Sequence, residues 1–306
     1  MDWLTRMNDA ITYIEENLNG HIDYEELAKI ACCSANNYFR TFSFITDVSL
    51  SEYIRRRRLT LAALELQNSD IKVIDLAFKY GYDSPVSFGR AFAALHGVTP
   101  TQARADGVTL KAYPRIAFQI SLKGEKEMDY RIETKEAFQV FGVEQIVKMD
   151  SDAVDVSEDG VTVTILSKDE QAEEELHEKL HKAAGSLPNF VNQSMGTVHH
   201  IFGHRDVAPG TIAHMTFAFR TASSNTEGYT IVDVPSRTWA IFPSEKFSWD
   251  DEDDGNGVVR ELAKRIYTEW MPTSSYEQVG ELEMELHGED DEFGYVEIWI
   301  AVKRKG

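Results

Sequence analysis

The chain has 306 residues, 42% of them hydrophobic, and a formal net charge of -20. That length is sufficient for two or three domains with their own cores. No uninterrupted apolar stretch approaches the ~18 residues that a membrane helix needs, and no charged-then-apolar leader opens the chain, so a membrane protein is not expected. The only two cysteines, Cys32 and Cys33, are adjacent, which indicates a reducing compartment. We therefore expect a cytoplasmic protein without a membrane partner.

The acidity lies mainly in the second part of the chain. Residues 1–111 contain 12 Lys/Arg and 14 Asp/Glu, whereas residues 112–306 contain 19 and 37. DNA-binding proteins gain much of their affinity by neutralising phosphates, so the charge of the whole chain argues against a DNA-binding role. The nearly neutral first part can still present a basic face, and the run Arg55–Arg58 concentrates cations there.

The N-terminal part is predicted to be all-α, with seven helices. Apolar residues from Leu4 to Leu18 recur every three or four positions, as in an amphipathic helix. Ser34 and Ser84 are predicted N-caps of two later helices, and Pro85 follows the second cap where its missing N–H costs nothing. A longer helix is predicted from Leu50 to Gln67.

A short block in this part occurs twice. The sequence Tyr-Phe-Arg-Thr-Phe at 38–42 is matched by Phe-Gly-Arg-Ala-Phe at 88–92, 50 residues later, and a Leu-Ala pair precedes each copy. A short helix after a tight turn, packed on a preceding helix, is the plan of a helix-turn-helix unit. The sequence therefore predicts two such units joined by the long helix.

These motifs, together with GYDSPVSFGRAF at 81–92 and GVTPTQAR at 97–104, identify residues 1–106 as resembling an AraC-type DNA-binding domain. The resemblance implies two recognition helices in successive major grooves of double-stranded DNA. Arg40 and Arg90 suit guanine edges or phosphates, because a guanidinium offers paired donors. The residues implied to meet DNA are Asn36, Phe39, Arg40 and Ser43 in the first unit, and Val86, Ser87 and Arg90 in the second.

After about residue 107 the pattern changes to alternating strands and acidic helices, with a second internal repeat. Tyr-Arg-Ile at 130–132 and Tyr-Thr-Ile at 229–231 each open a strand pair, and helices are predicted near 170–184 and 258–270. Repeats of this kind predict an α+β domain of duplicated βαββ units with a concave antiparallel sheet, whose seam is a natural ligand cleft.

The segments EWMPTSSY at 269–276 and VEIWIAVK at 296–303 resemble a GyrI-like effector-binding domain, and the resemblance covers residues 110–305. Such domains bind small cationic or aromatic molecules, and in that family a glutamate on the last strand lies in the pocket. By motif position that residue is Glu297. Other candidate ligand-binding residues are Tyr295 and Trp299 and, as weaker candidates, Trp239, Trp270 and Tyr276.

The last strand supports this interpretation by its alternation. Successive side chains of a strand point to opposite faces, so Tyr295, Glu297 and Trp299 share one face, and the alternating apolar residues cover the helices from the other. A carboxylate between two aromatic rings is a plausible cation site. The alternative at this stage is an ordinary exposed strand face with a solvated glutamate.

Two other motifs are interpreted as surface features, so no metal or cofactor is expected. His-Glu-Lys-Leu-His at 177–181 matches the H-E-x-x-H zinc pattern, but its highly acidic surroundings favour a solvated helix face. The acidic run 250–254 lacks the ligand spacing of an EF-hand loop.

These inferences predict a one-component transcription regulator, not an enzyme, with a DNA-binding domain at 1–108 and an effector-binding domain at 109–306. Its expected partners are double-stranded DNA and a small-molecule effector. RNA polymerase is a third partner that a transcription regulator of this kind can contact. The alternative is that the C-terminal domain hydrolyses or sequesters a reactive xenobiotic, with the same glutamate assisting attack by water.

Overall fold

The computed structural model describes residues 3–105, 107–118, 127–148, 154–157, 160–163, 170–185, 199–208, 211–248, 256–289 and 293–305. Six α-helices and one short 3-10 helix form the N-terminal part. The α-helices are α1 (Trp3–Glu16), α2 (Tyr24–Ala31), α3 (Ala35–Thr46), α4 (Leu50–Asn68), α5 (Val73–Lys79) and α6 (Pro85–His96). The seventh predicted helix is the 3-10 helix Gln102–Arg104. None of the described helices is long and apolar enough to cross a membrane.

The two helix-turn-helix units are α2–α3 and α5–α6, and local sequence sets their geometry. The Ser34 and Ser84 hydroxyls cap α3 and α6 by accepting hydrogen bonds from the backbone N–H groups of Asn37 and Ser87, each at 3.1 Å. Between the paired helices the chain turns through a left-handed residue, Cys32 (φ 52°) in the first unit and Gly81 (φ 78°) in the second. Both predicted units are therefore present with the predicted caps.

The C-terminal part repeats one pattern of strands and helix, as predicted. The first copy contains β1 (Arg131–Lys135), β2 (Phe138–Lys148), β3 (Val154–Ser157), β4 (Gly160–Val163), α7 (Glu170–Ala184), β5 (His199–Phe202) and β6 (Thr211–Phe219). The second contains β7 (Thr230–Val234), β8 (Arg237–Pro243), β9 (Phe247–Ser248), α8 (Asn256–Arg265), a π-helical segment (Ile266–Trp270), α9 (Met271–Thr273), β10 (Tyr276–Glu289) and β11 (Phe293–Arg304).

The two copies exchange their first strands. The main path of the sheet runs β1-β8-β11-β10-β5-β6-β2-β7, so β1 pairs with β8 of the second copy and β7 with β2 of the first. β1 and β2 lie near opposite edges of the sheet, as do β7 and β8. Even so, only two residues connect the strands in each of these pairs. These short connections require the antiparallel sheet to curl until its edges approach each other.

The curl gives the sheet an inner face and an outer face. The inner face holds a cluster of buried apolar side chains that includes Trp239, Met284 and Trp299. On the outer face, Ile298 and Ile300 pack with residues of α8 and the π-helical segment. The predicted alternation of β11, with Trp299 on one face and the isoleucines against helices, is confirmed.

The N-terminal helices pack against the outer face. One hydrophobic cluster combines Phe39 and Phe42 of α3 with Phe202 of β5 and Ile212 of β6. The linking segment also packs on the helices, since Asn8 exchanges two hydrogen bonds with the backbone of Phe118, at 2.8 and 2.9 Å. The first helix-turn-helix unit is thus docked on the C-terminal sheet.

Candidate functional site

The second recognition helix, α6, presents its predicted DNA-facing residues to solvent. Val86 is 63% exposed, and Ser87 and Arg90 are exposed as well. The core side of the same helix carries Phe88 and Phe92, both fully buried. This helix therefore has the arrangement that the sequence predicts for a DNA reader.

The first recognition helix, α3, differs. Its predicted DNA-facing residues Asn36, Phe39, Arg40 and Ser43 are only 4 to 6% exposed. The expectation that they lie outward is wrong in this structure. The periodicity of α3 correctly separates Tyr38 and Phe42 from this opposite face, but the C-terminal part covers that face.

Arg40 is the centre of the covered surface. Its Nη2 atom lies 2.7 Å from Glu283 Oε1 and 3.5 Å from Glu285 Oε1, both on β10. The guanidinium also lies over the ring of Phe202, 3.9 Å from the ring centre. The side chains of Arg40 and Glu283 are only 7% and 2% exposed, so this is a desolvated, charge-assisted contact.

Glu283 has a second partner, and the neighbouring Glu285 has a raised pKa. Tyr267 donates its hydroxyl hydrogen to Glu283 Oε2 at 2.9 Å. Burial raises the pKa of the Glu285 carboxyl to about 7, although nearby Arg40 opposes this shift. Burial therefore disfavours the charged form of Glu285 at this position beside Arg40 and Glu283.

Two contacts near the ends of α3 complete this interface. At its start, the Ser34 side chain lies close enough to the Glu281 carboxyl, also on β10, to lower its pKa, although burial raises that pKa overall. At its end, Asp47 forms an ion pair with Lys264 of α8 at 2.8 Å. We name the three alternating carboxylates of β10 the acidic row: Glu281, Glu283 and Glu285.

The four consecutive arginines of α4 make contacts within the N-terminal part. Arg55 and Arg56 both pair with Glu52 on the same helix. Arg57 pairs with Glu15 of α1 at 2.8 Å, and Arg58 donates to the carbonyls of Leu18 and Gly20 beyond the end of α1. Arg57 and Arg58 thus hold α1 against α4, whereas Arg55 and Arg56 are paired along α4 itself.

On the inner face, Glu297 is buried and already has charged and polar partners. Its carboxylate pairs with the Arg131 guanidinium of β1, at 2.8 Å for Nη1–Oε1 and 2.9 Å for Nη2–Oε2. The Trp299 indole N–H donates to the same carboxylate at 2.9 Å. The Glu297 contact contributes most to a raised pKa of Arg131. Sequence reasoning correctly joined Glu297 to Trp299 but missed the internal cation.

Other predicted ligand residues separate into two groups. Trp239 lies beside Trp299 on the inner face, with ring centres 5.8 Å apart, and Tyr295 lies across Gly288, where a Cβ would come within 2.4 Å of its ring. Trp270 and Tyr276 instead join the core on the outer face. They therefore lie on the other side of the sheet from Glu297, Trp299 and Trp239, and the structure does not bring them into the same site.

A cavity of about 500 Å³ lies at one end of the inner face. Val234 and Leu282 belong both to its wall and to the apolar cluster that contains Trp239. Arg237 lines it too and lies over the Trp239 ring, 5.7 Å from the ring centre. Among the described residues, Trp239 Nε1 and Arg237 Nε are buried donors without a hydrogen-bond partner. Unpaired donors favour a ligand that carries an acceptor.

The H-E-x-x-H segment lies on α7, where Glu178 pairs with Lys182 at 3.0 Å and both side chains are more than 70% exposed. Within the described part of the chain, no group of three or more metal-ligating side chains is suitably placed to hold an ion. The side chain of His177 and the acidic run 250–254 lie outside the described residues.

Sequence reasoning missed the acidic row. Its signal is the segment Glu-Leu-Glu-Met-Glu-Leu at 281–286, where acidic and apolar residues alternate strictly. Such alternation predicts a strand with one apolar and one charged face. Nothing in the segment itself reveals that the charged face meets Arg40.

Comparisons with known proteins agree with this two-part organisation. A family model described as a helix-turn-helix domain matches residues 27–106, and one described as an integron-associated effector binding protein matches residues 131–302. The transcriptional activator AarP of Providencia stuartii is 37% identical over 98 residues, covering 32% of this chain and 73% of AarP. The regulatory protein SoxS of Escherichia coli K12 is 34% identical over 98 residues, covering 32% of this chain and 92% of SoxS.

For the C-terminal part, the integron cassette protein VCH_CASS2 of Vibrio cholerae is similar in structure at 14% identity, with a TM-score of 0.34. The match covers 57% of this chain and 95% of that one. The second family model spans more than half of the 306 residues. The chain therefore belongs to the integron-associated effector binding proteins, and it carries an AraC-type helix-turn-helix domain like those of AarP and SoxS at its N-terminus.

Proposed function

We propose that the chain is a one-component transcription regulator that binds double-stranded DNA through α3 and α6 and a small aromatic effector on the inner face of its sheet. The observation that carries this proposal is the joining of two capped recognition helices to a curled sheet with two buried indoles and a partly buried ion pair. At a promoter such a regulator would also meet RNA polymerase.

The DNA-binding role is tested by footprinting on a selected duplex. When both recognition helices occupy successive major grooves, the footprint has two protected segments about one helical turn, ~34 Å, apart. Replacing Arg90 by Ala should weaken binding by roughly 1–3 kcal/mol if it reads a base. If no duplex tested shows binding that weakens with added salt, this role is ruled out.

The effector site is tested through the Arg131–Glu297 pair. A cationic aromatic ligand must displace the Arg131 guanidinium to reach the carboxylate, so Arg131→Met should tighten its binding roughly tenfold and Glu297→Gln should weaken it by a similar factor, since hydrogen bonds to charged groups are worth about 1.5–3 kcal/mol. An anionic ligand would lose affinity in Arg131→Met. Calorimetry with a matched set of cationic, neutral and anionic aromatic compounds measures these affinities and decides between the two ligand types. If neither substitution changes the affinity of any compound, the ligand binds elsewhere.

The proposal includes no catalytic step. Glu297 accepts hydrogen bonds from Arg131 and Trp299, which leaves it poorly arranged to activate water. Release of product from reactive esters or epoxides, abolished by Glu297→Gln, would support the hydrolase alternative.

We also propose that the chain divides at residue 108 into two domains. Expression of 1–108 and 109–306 tests the boundary by cooperative unfolding. Since Ile116 and Phe118 pack on the N-terminal helices, a fragment that ends at residue 118 should be more stable than one that ends at 108.

A further inference from the structure

The covered face of α3 and the acidic row form one continuous contact. Arg40 within α3 pairs with Glu283, and Asp47 at the C-terminal end of the helix pairs with Lys264. The N-cap Ser34 lies near Glu281. We propose that this contact is autoinhibitory: the acidic row occupies the first recognition helix, so β10 and DNA compete for Arg40. This inference rests on the proposed DNA-binding function.

The competition follows from geometry. The Arg40 Nη2 donor is only 2.7 Å from Glu283, and the side chain is 7% exposed. A guanine edge or a phosphate would need the same guanidinium donors. A helix that enters the major groove must also be free on that face, whereas the face of α3 lies on β10 and α8. DNA contact through α3 and contact with the acidic row therefore exclude each other.

The second recognition helix remains available in the same form. Val86 and Arg90 on α6 are exposed, so the covered form retains one reader. It should bind DNA weakly and protect one groove, whereas the uncovered form should protect two. The apparent dissociation constant rises in inverse proportion to the fraction of molecules in the competent form. If one molecule in ten is uncovered, the protein therefore binds DNA about tenfold more weakly than a fully uncovered variant.

The same two strands connect this contact to the effector site. Leu286, directly after Glu285 on β10, pairs with Glu297 on β11. Glu285 and Glu297 thus lie on opposite faces of one strand pair. A ligand that displaces Arg131 from Glu297 would act on the strand that carries the acidic row, which gives the effector a short route to α3.

The first test compares DNA affinity in the full chain. Glu283→Gln/Glu285→Gln keeps the shape of the side chains and replaces both carboxyl groups beside Arg40 by neutral amides. Glu277→Gln is the matched control, because Glu277 also lies on β10 but pairs with Lys303 at the surface. The probe is a 30-base-pair duplex enriched from a random pool on the double variant.

We expect the double variant to bind this duplex at least tenfold more tightly than the wild type and to protect two grooves. The control should match the wild type, and adding Arg40→Ala to the double variant should abolish the gain. Equal affinity and equal two-groove footprints for the wild type and the double variant would overturn autoinhibition while leaving DNA binding intact. Failure of both proteins to enrich any duplex would overturn the DNA-binding function as well.

The second test measures access to α3 without DNA, in a Cys32→Ser/Cys33→Ser background. Ser43 lies between Arg40 and Asp47 on the covered face and is 5% exposed, whereas Ser87 on α6 is exposed. Ser43→Cys should react with a thiol reagent at least tenfold more slowly than Ser87→Cys, and the double glutamine variant should remove most of this difference. Equal labelling rates in the otherwise unchanged background would overturn the covered form.

Discussion

The two recognition helices share a sequence pattern and differ in their surroundings. Both follow a serine cap, and both bury two aromatic residues spaced four apart on one side. On the opposite side, Arg40 is buried against carboxylates and Arg90 is exposed. A repeated motif therefore specifies a repeated local structure, whereas the role of each copy depends on what the rest of the chain packs against it.

The largest expected difference between the helices concerns their arginines. Arg40→Ala would leave Glu283 buried without its cation and should lower the free energy of unfolding by roughly 3–5 kcal/mol. Arg90→Ala removes an exposed side chain and should change it by less than about 0.5 kcal/mol. Urea unfolding of the two full-length variants measures both values. Similar small effects would mean that Arg40 is not held by the acidic row.

Next in size is a pH effect of Glu285. Its folded pKa of about 7 exceeds the ordinary value of 4.5, so the folded chain binds a proton that the unfolded chain releases between these values. Stability from this proton is present below pH 4.5 and is lost as pH rises to about 7. The difference in unfolding free energy between wild type and Glu285→Gln should therefore fall by up to roughly 3 kcal/mol over this window.

The titration has a control in Glu277→Gln, which changes the charge of the same strand at a surface ion pair. An equal pH dependence in both variants would not report on the burial of Glu285. A flat difference for Glu285→Gln would show that its carboxyl titrates as it does in water.

A smaller effect is expected on the exposed helix. Gly89 lies in the middle of α6, and a Cβ there would meet no atom within 4 Å. Gly89→Ala should stabilise α6 by about 0.5–1 kcal/mol, because alanine loses less conformational freedom on helix formation. The corresponding position of α3 is the buried Phe39, which leaves no such room. Thermal unfolding measures the gain, and a loss of stability would mean that α6 is covered as well.

The smallest expected effect lies at the edge of the interface. Asp47 and Lys264 form an ion pair whose side chains are 40% and 36% exposed. Lys264→Gln should cost less than about 1 kcal/mol, and the cost should vanish in high salt because solvent screens such pairs. A larger cost that salt does not change would indicate a desolvated contact.

Much of the fold could be predicted from local signals. Serine caps, apolar periodicity and glycine turns located the helices of the N-terminal part, and strand alternation put Trp299 and Glu297 on the face away from the helices. These signals act over a few residues, so they can be read without knowing the rest of the structure. The candidate site was predicted less completely. The shared face of Glu297 and Trp299 could be predicted from alternation, whereas the outer-face position of Trp270 and Tyr276 could not.

The sequence by itself determined two helix-turn-helix units, a duplicated sheet domain and the faces on which their side chains lie. Only the tertiary structure decided what those faces meet. Arg40 reaches a carboxylate 243 residues away, and Arg131 reaches Glu297 across 166 residues. Periodicity shows that a side chain points away from its own core, but it carries no information about the distant surface that comes to lie there. Such pairings depend on how the whole chain buries its apolar surface and satisfies its charges at once.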